Sequence, residues 1–187
     1  MKDTLAKMHW LNEPEWELVD HTLVIKTHKD TDYWQRTHYG FRRDNAHACL
    51  QPIPGDCLIR AHLRFASNAQ YDQCGLLLRV DEDCWFKCSV EYENEHLSRL
   101  GSVATNYGYS DWATQDISAQ IHEIWYEIEL QSSDLILRNS FDGQEYRQMR
   151  IAHLHTQGRP IEAGFYGCSP VGDGFQFTLL DYKLEAL

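Results

Sequence analysis

Positive charge is scarce in this 187-residue chain: 17 Lys and Arg stand against 28 Asp and Glu, a formal charge of −11. A nucleic-acid-binding surface is built on a basic footprint, so that class is not expected, and attachment to an anionic membrane surface is disfavoured for the same reason. Long apolar runs are missing as well; none approaches the roughly 18 residues that read as a membrane span. Proline and glycine, 5 and 11 in number, are scattered singly. No linker, repeat or low-complexity tract divides the chain, and a single domain over 1–187 is expected. None of the six cysteines forms the C-x-x-C pair of a zinc knuckle. Gly-rich phosphate loops and G-x-S-x-G elbows are absent. Residues 1–11 are polar and mixed in charge, without the apolar core of a signal peptide. The expectation is therefore a cytoplasmic protein with reduced thiols and no cofactor.

Aromatics are what the chain has in quantity: six Trp, ten Tyr and seven Phe. These residues favour strands and also build flat binding platforms. Helical periodicity is hard to find, whereas period-two alternation is frequent. Cys57, Ile59, Ala61, Leu63 and Phe65 share one face, with Arg60, His62 and Arg64 on the other. Phe86, Cys88, Val90 and Tyr92 face a core, with Trp85, Lys87, Ser89, Glu91 and Glu93 opposite. Tyr126, Ile128 and Leu130 alternate with Trp125, Glu127 and Glu129, and Phe175, Phe177 and Leu179 with Gln176, Thr178 and Leu180. Turn signals fall between such runs at Pro54-Gly55-Asp56, Val80-Asp81-Glu82-Asp83 and Asp142-Gly143. Many short strands with little helix predict an all-β sandwich of two antiparallel sheets, each of about six strands, with a closed barrel as the alternative.

Several ordered segments then become specific. Thr37-His38-Tyr39-Gly40-Phe41, Tyr71-Asp72-Gln73-Cys74-Gly75-Leu76, Trp85-Phe86-Lys87, Val90-Glu91-Tyr92-Glu93, the stretch from Leu100 to Asn106, Gly108-Tyr109-Ser110-Asp111-Trp112 and Tyr166-Gly167-Cys168-Ser169-Pro170 resemble the DUF1349 family. The resemblance runs from about Trp10 to the end of the chain. Cys74 and Gly167 stand where the family more often has Ala, and Ala104 where it has Val; these are small-for-small changes. The resemblance implies the concanavalin A-like jelly roll of lectins and glucanases. The family includes a yeast protein named for regulation of enolase and has no firmly assigned activity, so function stays open.

The residues offer three kinds of chemistry. Glu91, Glu93 and Glu95 form E-x-E-x-E, and residues two apart on a strand share a face about 6.6 Å apart along the chain. Glu91 and Glu93 are thus candidates for the acid and nucleophile of a glycosidase or lyase. Lys87 shares that face and Arg79 is expected on the neighbouring strand; both would hold the carboxylates ionised, which opposes a general-acid role. Trp85 lies on the same face as a candidate stacking platform. A second cluster, Asn106, Tyr107, Tyr109, Ser110, Asp111 and Trp112, reads as a sugar-recognition loop combining amide, hydroxyl, carboxylate and indole groups, with Asn106, Tyr107, Asp111 and Trp112 as its candidate ligand-binding residues. Trp34, His38, Tyr39 and Tyr166 join the candidate ligand-binding set. His153 and His155 share a strand face but have no third metal ligand, so no metal is expected. Cys168 paired with His38 would be a nucleophile, against the simpler reading of a buried thiol. The favoured function is a non-catalytic module binding a carbohydrate or related small polar metabolite. A glycosidase using Glu91 and Glu93 and a regulatory domain with a protein partner are the alternatives.

Overall fold

The computed structural model describes residues 1–187. A helical turn, α1 (Lys2–Leu5), precedes sixteen strands: β1 (His9–Leu11), β2 (Glu15–Val19), β3 (Thr22–Lys26), β4 (Tyr33–Gln35), β5 (Arg42–Asp44), β6 (His47–Pro52), β7 (Cys57–Ala66), β8 (Gln73–Asp81), β9 (Cys84–Tyr92), β10 (Leu97–Asn106), β11 (Tyr109–Ser118), β12 (Glu123–Gln131), β13 (Asp134–Ser140), β14 (Arg147–His153), β15 (Glu162–Cys168) and β16 (Gln176–Ala186). They form two seven-stranded sheets, β1-β6-β15-β8-β9-β10-β11 and β14-β13-β12-β7-β16-β3-β2, and a separate β4-β5 hairpin. The architecture is a concanavalin A-like jelly-roll sandwich, with one strand more per sheet than the alternation suggested. No helix is long and apolar enough to cross a membrane.

The alternation places the core. Ile59, Leu63, Tyr126, Ile128, Phe86, Val90, Phe165 and Phe177 all point between the sheets and are essentially sealed from water. A fully buried side chain of this size contributes about 1.5–3 kcal/mol through the hydrophobic effect. In β16 the register shifts between Leu179 and Asp181. That bulge spends Leu180 outside the alternation and returns Tyr182 to the core side. All six cysteines are free and buried. Five of them pack in the main core, where burial pushes the Cys88 thiol up to about 12. Gly167 has a packing reason: the Phe177 ring occupies the space a Cβ there would take.

Two buried hydroxyls in this core have no hydrogen-bond partner, those of Tyr126 and Tyr182, and Tyr126 is the more deeply buried. An unsatisfied buried hydroxyl costs about 1–3 kcal/mol of desolvation, and deleting it leaves the ring packing untouched. Tyr126→Phe is therefore expected to stabilise the protein by about 1 kcal/mol, measured as a higher urea midpoint at an unchanged slope. A loss of stability would mean that the hydroxyl has a partner in solution.

Candidate functional site

The outer face of the first sheet is built by the complementary half of each alternation. In register, Gln73 lies opposite Glu91, Leu77 opposite Lys87 and Arg79 opposite Trp85. Val103 follows beside Lys87, and Trp112 beside Val103. One end of this face is covered. The segment 29–46, carrying the β4-β5 hairpin, crosses it and inserts Tyr33 between Trp85 and Tyr166, with ring centroids 5.9 and 6.0 Å away. Tyr33 is fully buried and its hydroxyl donates to the Ala46 carbonyl oxygen at 3.0 Å. Arg79 holds Asp44 of β5 through two hydrogen bonds of 2.8 Å. The Gln35 backbone N–H donates to the Ser110 hydroxyl at 3.0 Å, and Arg36 donates to the Gly108 carbonyl at 2.8 Å.

The uncovered end is a cleft of about 440 Å³, within the roughly 300–1,000 Å³ of small-molecule sites. Its wall is aromatic: Trp34, Tyr39, Phe41 and Trp112 line it. Trp34 meets Tyr39 at 5.4 Å and Trp112 at 6.3 Å, both edge to face, and Tyr39 stacks on Phe41 at 5.9 Å. Trp112 is 38% exposed. Its indole lies over β10 because residue 101 is glycine; a Cβ there would stand 3.0 Å from Trp112 Nε1.

The floor is a polar network centred on the buried Gln73 amide. Its Oε1 accepts from Lys87 Nζ and the Tyr166 hydroxyl, each at 3.0 Å, and from Ser89 at 3.4 Å. Its Nε2 donates to Glu91 Oε2 at 2.7 Å and to the Tyr71 carbonyl at 3.2 Å. Lys87 is only 3% exposed and pairs with Asp32 at 3.5 Å. Tyr166 and Trp85 present their rings to its ammonium at 5.5 and 5.8 Å. Burial pushes the Glu91 carboxyl up to about 7, against the opposing pull of Lys87 and with the help of Asp32 and Glu93.

The sequence candidates separate accordingly. Trp34, Tyr39, Lys87, Glu91 and Trp112 meet in the cleft. Trp85 is no open platform, because Tyr33 covers it completely. Tyr166 lies beneath the same ring and reaches the site only through its bond to Gln73. Arg79 is spent on Asp44 at the covered end, so it does not face the glutamates. Glu93 lies outside the cleft, held by Arg99 at 3.3 Å and Gln70 at 2.8 Å. The paired Glu91–Glu93 centre is thereby corrected: one of the two carboxylates faces the cleft. The expectation that Lys87 keeps Glu91 fully ionised is corrected too: Lys87 pairs with Asp32 instead, and desolvation outweighs its longer-range pull on Glu91. His38 packs on Tyr39 at 4.8 Å and is not among the cleft residues. Asn106 bridges to the His153 carbonyl and the His155 amide, Tyr107 packs on His155, and Asp111 pairs with Arg150 at 3.1 Å; all three lie outside the cleft. Cys168 is buried 3.9 Å from Asp32 rather than beside His38, and burial holds its thiol well above the usual range, so it is no nucleophile. His153 turns its Nδ1 to Asp134 at 2.6 Å.

Gln73, Asp32, Arg43 and Phe41 belong to the site and were not singled out from the sequence. Gln73 was within reach, since extending the alternation through β8 puts it on the same face as Arg79. Asp32 and Arg43 carried no such signal, because nothing local says that their segment folds across the sheet.

The family model described as "Protein of unknown function (DUF1349)" matches residues 10–187. Regulation of enolase protein 1 of Saccharomyces cerevisiae is 28% identical over 183 residues, covering 97% of this chain and 91% of that protein. A crystal structure of a functionally unknown protein from Saccharomyces cerevisiae superposes with a TM-score of 0.88 at 27% identity, covering 98% of each chain. A variant of the GH43 protein BlXynB from Bacillus licheniformis superposes with a TM-score of 0.77 at 14% identity. That match takes in 97% of this chain but 37% of the other, and it carries the fold alone.

Two outcomes follow from the geometry. Trp85→Ala is expected to cost about 3–5 kcal/mol, as large-to-small core changes do, while Trp112→Ala costs clearly less; chemical denaturation of both variants checks the order. Glu91 has a folded pKa raised from 4.5 to about 7. The folded state therefore binds more protons than the unfolded state in that window, and stability falls as pH rises through it. Glu91→Gln abolishes this dependence. Its stability relative to the parent is expected to climb between pH 4.5 and 7, by an amount on the order of 1–3 kcal/mol. A flat difference across that range would contradict the raised carboxyl.

Proposed function

The chain belongs to the DUF1349 family, and from that premise we propose that it is a binding module whose cleft takes a carbohydrate or a related small polyol. The carrying observation is the juxtaposition of an aromatic wall, Trp34 and Trp112, with a floor of directed polar groups, Lys87, Gln73 and Glu91. Apolar sugar faces lie flat on aromatic rings, while hydroxyls need donors and acceptors held at fixed positions. The Gln73 hub supplies that preorganisation, because each of its neighbours is already oriented by a hydrogen bond before any ligand arrives. A glycosidase reading is weaker, since Glu93 is engaged elsewhere and Glu91 stands without its expected partner. The GH43 protein of the same fold lends the carbohydrate reading a fold-level analogy.

A regulatory role is the second reading, favoured by the name of the yeast relative. A pull-down from a native extract addresses it, and recovery of chaperones alone would remove its support.

The first reading is tested on Trp112. A glycan array with a thermal-shift metabolite screen identifies a ligand, and Trp112→Ala is then titrated with it. The variant is expected to lose at least roughly tenfold in affinity, the equivalent of about 1.4 kcal/mol. Unchanged affinity would sink the stacking role, and the absence of any hit at millimolar concentration would sink the reading.

A further inference from the structure

We infer that the cleft's ligand carries a single carboxylate, that it is a sugar acid, and that Arg43 is the group that recognises the charge. This deepens the carbohydrate reading and rests on it. The chain has eleven arginines, and ten of them pair with an acidic side chain. Arg36 and Arg42 hold Asp83; Arg60 and Arg138 hold Glu127; Arg64 holds Glu123; Arg79 holds Asp44. Arg99, Arg147, Arg150 and Arg159 are matched by Glu93, Glu145, Asp111 and Asp81. Arg43 alone has neither an acidic partner nor a side-chain hydrogen bond, and it lines the cleft. In a chain of net charge −11, an unclaimed guanidinium at that one place is a strong departure from the pattern.

Its position suits the task. Arg43 sits directly across the β4-β5 ladder from Trp34, so the anion-binding group and Trp34 of the aromatic wall come from one hairpin. A guanidinium offers a planar fork of donors that matches a carboxylate with two parallel hydrogen bonds. Lys87, the other cation of the cleft, is already claimed by Asp32 and Gln73. One cation is therefore free, which matches one negative charge. A phosphate monoester brings close to two charges at neutral pH. It would meet Asp30 and Glu91 on the same walls with only Arg43 to offset them. The acidic groups favour a monoanion with hydroxyls to donate, which is the chemistry of a uronic or aldonic acid.

The test compares each hexuronate with its parent hexose: glucuronate with glucose, galacturonate with galactose, and mannuronate with mannose, plus glucose 6-phosphate. Binding is measured by calorimetry on the full chain and on Arg43→Gln. For at least one pair the hexuronate is expected to bind roughly tenfold or more tightly than the hexose, as a charge-assisted hydrogen bond implies. That ratio should fall to about one in Arg43→Gln. A second measurement on the unmodified chain does not depend on the variant's folding: added salt should weaken the hexuronate and leave the hexose alone. Equal affinity for hexose and hexuronate, a preference that survives in Arg43→Gln, or tighter binding of glucose 6-phosphate would each overturn the sugar-acid inference while leaving carbohydrate binding standing. Failure of every sugar to bind at millimolar concentration would overturn both.

Discussion

Burial of the Tyr33 ring between Trp85 and Tyr166 is the contact on which the rest of the site depends. It fastens residues 29–46 across a sheet face that would otherwise be open. The polar staples, Arg79 to Asp44 and Gln35 to Ser110, then fix the orientation of the segment rather than its attachment. Two consequences follow at once. Trp85 and Tyr166, which alternation places on the outer face, become a second small core. What remains uncovered is bounded by the same segment, so Trp34, Tyr39 and Phe41 stand as a wall over a floor drawn from β8 and β9.

Inside that boundary the Gln73 amide sets the geometry. A side-chain amide has donors on one atom and acceptor lone pairs on the other. Gln73 uses both, drawing Lys87, Ser89 and Tyr166 to its oxygen and Glu91 to its nitrogen. A cation and a carboxyl are thereby held apart by a neutral spacer, and they do not collapse into a direct ion pair. This explains why Glu91 responds to desolvation more than to Lys87: the ammonium is directed at Asp32 and the amide oxygen instead. The cleft so formed keeps one carboxyl poised between its two protonation states and one buried ammonium.

Charge elsewhere is distributed differently. On the outer face of the second sheet, Arg60, Arg138 and Glu127 form a continuous ladder, and His62 and Arg64 share Glu123. Glu127 is itself buried; the more exposed pairs contribute little individually, about 0–1 kcal/mol, and together they leave few unmatched cations on an acidic chain. Against that background the shared fold with a GH43 protein at 14% identity says how the sheets are arranged. The chemistry of the cleft is particular to the side chains this chain places there.

The fold class and the faces of the central strands were legible in the sequence of this protein, whereas the stretch from Asn106 to Trp112, which reads as a loop, is the tip of the β10-β11 hairpin with Asp111 and Trp112 on strand. A strand's inward and outward residues alternate with period two, and that pattern is local. Thus Ile59, Tyr126, Phe86 and Phe177 declared the core, Pro54-Gly55-Asp56 and Asp142-Gly143 declared turns, and the family segments declared the jelly roll. Three of the four wall aromatics, Trp34, Tyr39 and Trp112, were visible as candidates, and Phe41 was not. Two things were left to tertiary structure. Alternation tells which face a residue is on but never what lies over that face, so Trp85 read as a platform when Tyr33 covers it. Pairing between different strands decides which charges meet: Arg79 goes to Asp44, 35 residues away, and Glu93 to Arg99 across the β9-β10 turn, pairings that no spacing along one strand encodes. Asp32 and Arg43 entered the site for the same reason, because their place in it depends on packing between segments far apart in the chain, and only the closed fold brings those segments together.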